Sequence, residues 1–236
     1  THRYTLFPYT TLFRSPWPAW PVPTFDPARV LEAIGGLSAP VPRFCQGFPR
    51  TPWGEDIAFK LAGAGGDGAQ TAALLITKAA INEGFDATHI PSYGPESRGG
   101  TSYADVRFAE GEVLSPAAPH PHVLMAFNAP SLARFGPEVV PGGVVVYDSS
   151  VVTAPPALDP SVRVLGVPCS GIAHELGKAV VKNVVALGAL LGATHLFPEE
   201  TFLTALRQAL HAKPGLIPLN EQALDRGMRA AEAAGR

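Results

Sequence analysis

The chain has little cysteine and little charge. Two of its 236 residues are cysteine and 16% are charged, against about 25% in an ordinary globular domain. Cys45 and Cys169 are too few to ligate an iron–sulfur cluster or a structural zinc without help. They make no disulfide framework, and the chain does not begin with the charged start, apolar run and cleavage site of a secretory signal, so a cytoplasmic location is expected. No cluster of lysine and arginine occurs and the net charge is −2; without a basic footprint, neither nucleic acid nor an anionic membrane surface is an expected partner. The most apolar stretch, residues 184–194, is about half of the roughly 20 residues a membrane span requires. It reads as a core helix.

Hydrophobic residues, by contrast, reach 46%. So much apolar surface with so little charge to cover the rest points to partner subunits. Residues 1–15 are excluded from the fold, as an artefactual or disordered leader, because 5–15 resemble the in-frame translation of a sequencing adapter. Residues 16–56 are proline-rich, with a helix-like piece at 26–34, and read as an arm or linker. Trp17, Trp20 and Trp53 all lie in it. Their rings are expected to dock either on a neighbouring surface or back on their own domain.

From residue 57 onward, short apolar runs alternate with helical periodicity. Strands are expected at 57–62, 86–90, 102–108, 123–127, 144–147 and 162–167. Helices are expected at 69–83, near Ser131, and at 170–176, 180–191, 198–211 and 220–234. The fold class is α/β: Rossmann-like, with a mainly parallel sheet flanked by helices and a C-terminal helical cluster.

Between the first strand and helix lies GAGGDGAQ. Gly63, Gly65 and Gly68 satisfy G-x-G-x-x-G, where glycine allows close backbone approach and the helix N-terminus attracts a phosphate. A dinucleotide site also wants an acid some 20 residues on, but the second strand ends in Thr88, His89, Ile90 and Pro91. Gly66-Asp67-Gly68 resembles the opening of a thiamine diphosphate motif, yet residues 94–98 read GPESR where that motif closes in asparagines. A turn that only packs a strand against a helix is the third reading.

Four ordered segments decide among these: GAGGDGAQ, SYGPESRGGTSYADVRF from Ser92, GGVVVYDSS from Gly142 and KNVVALGALLG from Lys182. Together they resemble the gamma subunit or domain of the 2-oxoacid:ferredoxin oxidoreductases, over about residues 57–228. The resemblance implies a component of a multi-subunit or fused enzyme that decarboxylates a 2-oxoacid oxidatively to an acyl-CoA and passes electrons to ferredoxin or a similar acceptor. It implies thiamine diphosphate, magnesium and iron–sulfur clusters in partner chains, with coenzyme A as co-substrate. Residues 57–236 are then the gamma domain, with no catalytic residue and no metal ligand of its own. A Rossmann-like nucleotide-binding protein and a structural assembly module are the other readings.

On the family's loop, Gly63, Gly65, Gly66, Asp67, Gly68 and Gln70 are expected to face a nucleotide-like moiety or a partner backbone. Ser92, Tyr93, Gly94, Glu96, Arg98, Gly99 and Gly100 form a turn in which long polar side chains favour an interface. Asn183, Gly188 and Gly192 are expected at a contact surface, the two glycines being four apart on an apolar helix. Cys169, near His174 and Glu175, permits a cysteine-hydrolase reading; a buried thiol with Ser170 as N-cap is preferred. His120 and His122 lack the further ligands a metal would need.

Overall fold

The computed structural model describes residues 41–93 and 101–235. The leader, most of the proline-rich arm with Trp17 and Trp20, and Gly94, Glu96, Arg98, Gly99 and Gly100 lie outside the described residues. The elements run β1 (Asp56–Ala64), α1 (Ala69–Glu83), β2 (Asp86–Ser92), β3 (Thr101–Ala109), β4 (Val123–Ala126), α2 (Ala129–Phe135), β5 (Val144–Asp148), β6 (Arg163–Val167), α3 (Cys169–Glu175), α4 (Lys182–Thr194), α5 (Glu199–Ala209) and α6 (Ile217–Ala234). The last begins three residues before the expected Asn220 because Pro218 sits in its first turn, where a missing N–H costs nothing.

The six strands form one sheet in the order β2-β3-β1-β4-β5-β6. β1, β4, β5 and β6 pair in parallel, while β3 is antiparallel to both β1 and β2. Only β3 therefore runs against the rest, and the expected mainly parallel sheet is present. β1 is buried along seven consecutive residues, as a central strand covered on both faces must be. One face carries Ile57, Phe59 and Leu61 under α1, α4, α5 and α6. The opposite face carries Ala62, Leu124 and Ala126 against Leu132 and Phe135 of α2.

A lysine interrupts the apolar run of β1. Lys60 is 4% exposed and pairs with Asp105 of β3 at 2.5 Å, its ammonium also lying 4.8 Å from the ring centre of Tyr103 and 5.1 Å from that of Phe135. Asp105 accepts the Ala118 N–H as well. Removing either partner would leave an uncompensated buried charge, which typically costs about 3–5 kcal/mol.

The end of the arm is tied down from within. Glu83, buried at the C-terminus of α1, accepts the N–H groups of Phe44 and Cys45 and the Thr201 hydroxyl. The Cys45 thiol is pushed up to about 11 by burial and by the Glu83 charge. Trp53 stacks on His122 at 5.4 Å and donates to the Gly142 carbonyl, so this ring docks on its own domain.

Helix α4 is apolar all round because it is covered all round. Gly188 and Gly192, expected at a contact surface by a spacing that suits helix contact either within the core or across a subunit boundary, meet α6 within the chain: a Cβ on Gly188 would lie 2.0 Å from the Leu224 carbonyl oxygen, and one on Gly192 would lie 2.5 Å from that of Met228. Gly227 of α6 reciprocates, its Cβ position 2.0 Å from the Val185 carbonyl oxygen. The backbones are closer than any side chain permits, which corrects the subunit-boundary half of the expectation for these two glycines.

Candidate functional site

β1 and β4 are parallel neighbours whose following helices, α1 and α2, leave toward opposite faces of the sheet. Their C-terminal ends therefore open a crevice at the point where the strand order reverses, the usual ligand position in such sheets. Gly63, at the end of β1, forms one lip. A Cβ there would lie 2.7 Å from Asp67 Oδ2 and 2.9 Å from Phe127 Cβ, so the residue must be glycine for the turn to close. The turn is pinned twice by Asp67, whose N–H donates to the Ala64 carbonyl and whose carboxylate accepts the Ala64 N–H at 2.7 Å.

Two positive dihedrals complete it, with φ +97° at Gly66 and +86° at Gly68. Gly65 and Gly66 are exposed at the tip. Gly68 is the N-cap of α1 and supplies no side-chain cap, so the first amides of the helix rely on water or a ligand. Asn183 packs directly beneath it: a Cβ on Gly68 would lie 2.6 Å from Asn183 Cβ. The contact Asn183 makes is thus with the turn, and its amide oxygen accepts the Val184 N–H.

Lys182 is the cation of the site. Its ammonium donates to Asp67 at 2.7 Å and lies 5.6 Å from the centre of the Phe127 ring. Asp67 and the Gln70 amide nitrogen, both expected to face a cofactor, are engaged inside the chain, while the buried Gln70 Oε1 has no partner among the described residues. The Gln70 amide donates to the carbonyls of Tyr103 and Ser92 and to the Ser102 hydroxyl, lacing α1 to the hairpin of β2 and β3. Since Thr101 of β3 pairs with Ala64 and Ser92 pairs with Tyr103, the ends of that hairpin stand beside the glycine turn. Tyr93 is 72% exposed there. The structure thus brings the first two sequence motifs together at one edge.

The third motif lies further along the same edge. Asp148, fully buried at the end of β5, accepts the Ser150 N–H and both the N–H and hydroxyl of Ser170. Ser170 is therefore inside α3, whose N-cap is Pro168, and not the cap itself. Cys169 is fully buried and its thiol pushed up, first by desolvation and then by the Asp148 charge; this is the opposite of an activated nucleophile. His174 and Glu175 are exposed, and Glu175 pairs with Arg226. His122 is also committed, its Nδ1 accepting the Ala58 N–H.

The residues here do not fit the thiamine diphosphate, magnesium or clusters that the resemblance attaches to the complex. Asp67, where a thiamine motif would present its magnesium ligand, is neutralised by Lys182. Among the described residues no group of three or more His, Cys, Asp or Glu is placed to hold a metal. A dinucleotide fits poorly as well. β3 lies between β1 and β2, which sets the end of β2 two strand spacings, roughly 10 Å, from the glycine turn.

Sequence reasoning placed Lys182 in a motif but gave it no role, and it passed over Asn128, whose side chain caps α2 at the other lip by accepting the Ser131 N–H. The signal for Lys182 was a polar Lys-Asn pair opening an otherwise apolar helix.

Residues 58–230 match the family described as pyruvate ferredoxin/flavodoxin oxidoreductase. The ketoisovalerate oxidoreductase subunit VorA of Methanothermobacter marburgensis is 40% identical over 174 residues, covering 73% of this chain and 36% of that relative. The chain thus spans little more than a third of the curated relatives it matches first. The gamma subunit of a keto/oxoacid ferredoxin oxidoreductase from Geobacter sulfurreducens PCA superposes with a TM-score of 0.66 at 28% identity, covering 75% of this chain and 99% of that one. The 2-oxoglutarate:ferredoxin oxidoreductase from Magnetococcus marinus, solved with 2-oxoglutarate, coenzyme A and succinyl-CoA bound, superposes with a TM-score of 0.70 at 26% identity, covering 76% of this chain and 31% of that one.

Proposed function

The chain belongs to the pyruvate ferredoxin/flavodoxin oxidoreductase family, and from that premise we propose that residues 57–236 are the gamma component of a thiamine diphosphate-dependent 2-oxoacid:ferredoxin oxidoreductase. In this reading the complex decarboxylates a 2-oxoacid oxidatively, forms an acyl-CoA and passes electrons to ferredoxin or a similar acceptor. The thiamine diphosphate, magnesium and clusters reside in companion chains, and the assembly is cytoplasmic. The observation that carries the proposal is the family match across 58–230, joined to a turn whose only acid is taken by Lys182. Such a domain has a scaffold and an open edge, with no cofactor chemistry of its own.

At that edge the exposed Gly65 and Gly66, with Lys182 paired to Asp67 in the same turn, suit the phosphates of coenzyme A or the backbone of a companion chain. Ser92 and Tyr93 then belong to a neighbouring interface, a role the motif also suggests for Glu96 and Arg98. No described helix is long and apolar enough to cross a membrane.

The test is to purify the chain from its native host with its companions. Turnover of 2-oxoisovalerate, pyruvate and 2-oxoglutarate is then measured with coenzyme A and a viologen acceptor. Acyl-CoA formation is expected from the complex and not from the chain alone. Turnover by the isolated chain, or its purification without any thiamine-containing companion, would overturn the proposal.

A further inference from the structure

β2 is loosely held at the end nearest the crevice. It lies at the edge of the sheet with β3 as its one strand neighbour, and Pro91, one residue before its end, has no N–H to give to the ladder. The pair of Ser92 with Tyr103 closes that ladder, and Tyr93 follows, exposed beside the glycine turn. What fastens this end comes from side chains. The Ser102 hydroxyl donates to the Ser92 carbonyl, and Gln70 Nε2 reaches the Tyr103 carbonyl at 2.8 Å, the Ser102 hydroxyl oxygen at 3.1 Å and the Ser92 carbonyl at 3.4 Å.

Gln70 is well placed to join the two motifs. It is the second residue of α1, directly after a turn whose N-cap, Gly68, offers no side chain. The first intrahelical bond runs from the Ala72 N–H to the Gly68 carbonyl, so the Gln70 main-chain N–H is one of the free amides at the turn while its side chain holds the hairpin. Its Oε1 is buried without a partner among the described residues, which is unfavourable. Turning the amide over would set that oxygen against the Tyr103 carbonyl, so the donors fix its orientation. A methionine of similar length would leave no unpaired oxygen; what the amide alone supplies is the tie to β2 and β3.

We propose that Gln70 is a positioning residue: it holds the end of β2, with Tyr93, in a fixed place against the glycine turn, so that a phosphate-bearing co-substrate at the turn meets both motifs as one surface. The inference rests on the functional reading above, in which that co-substrate is coenzyme A. Gln70 acts through Ser92 and Tyr103, and its loss is felt in binding of the co-substrate, not in the chemical step.

The test uses the complex purified from the native host, carrying Gln70→Met, which keeps the length of the side chain and loses its donors. Turnover is measured against coenzyme A and, separately, against the 2-oxoacid. The expected result is a KM for coenzyme A raised about tenfold, with kcat and the KM for the 2-oxoacid within about twofold of the parent complex. Ser102→Ala, which removes one acceptor and the bond to Ser92, should raise the same KM about threefold.

An unchanged KM for coenzyme A in the Gln70→Met complex would overturn the proposal, as would an equal rise for both substrates or a fall in kcat alone. The functional reading would then survive, because the parent complex still forms acyl-CoA. A Gln70→Met chain with the parent's circular dichroism spectrum that no longer elutes with its companions would also overturn the proposal, by showing that the hairpin end serves assembly. If Gln70→Met does not accumulate as folded protein, Ser102→Ala decides by the same criteria. A parent complex that forms no acyl-CoA would overturn both.

Discussion

Two glycine-rich regions of this molecule use the same residue for unlike reasons. In the turn after β1, Gly66 has φ +97° and open space where a side chain would stand; glycine is required there by the backbone angle alone. Between α4 and α6, Gly188, Gly192 and Gly227 need no unusual dihedral, and what matters is that nothing projects from the helix. Gly68 combines both requirements, with φ +86° and Asn183 directly against it. The first kind of glycine stands exposed at a turn, and the second kind is packed against a neighbouring helix. A G-x-G spacing and a G-x-x-x-G spacing are equally visible in a sequence, but only the first lies at an exposed turn here.

Alanine substitution separates the two kinds by size of effect. Gly188→Ala forces a methyl group against the Leu224 carbonyl, and since backbone must move to admit it, a loss of about 3 kcal/mol or more is expected in denaturant unfolding. A loss under about 1 kcal/mol would show that α4 and α6 can separate freely. Gly68→Ala is expected to cost roughly 2 kcal/mol, the left-handed backbone and the Asn183 contact adding together, whereas Gly66→Ala should cost only about 1 kcal/mol. Equal losses at the two positions would remove the packing role of Asn183.

The smallest effect concerns the start of β4, in the middle of the sheet. The His122 ring is held below its ordinary pKa of 6.5 by burial and then by the Arg107 cation, with Asp56 opposing. Its Nδ1 must stay unprotonated to accept the Ala58 N–H. The unfolded chain therefore binds the extra proton first as pH falls past 6.5, and stability should decline from there downward while remaining flat above. Urea midpoints from pH 8 to 5 check this, and His122→Asn, which keeps an acceptor, should flatten the slope.

Most elements were legible because their signals are local. The strands at Ile57, Val123 and Val144 are short apolar runs, and the helix over 69–83 ends at a glycine with φ +90° at position 84. The site was legible in part. Its motifs could be read, but not that Asp67 is neutralised by Lys182, 115 residues away, nor that the Gln70 amide nitrogen is spent on strand carbonyls. Trp53 was ambiguous between a foreign surface and its own domain, and only its stacking on His122 decides.

By itself, then, the sequence determined the α/β alternation, the glycine turn and the family motifs, since period, turn chemistry and residue order act over a few neighbouring positions. The tertiary structure alone decided the insertion of β3 between β1 and β2, the pairing of Lys60 with Asp105, and the burial of Gly188 and Gly192 within the chain. These depend on which distant segments share a face, and chain connectivity imposes no local pattern that records it.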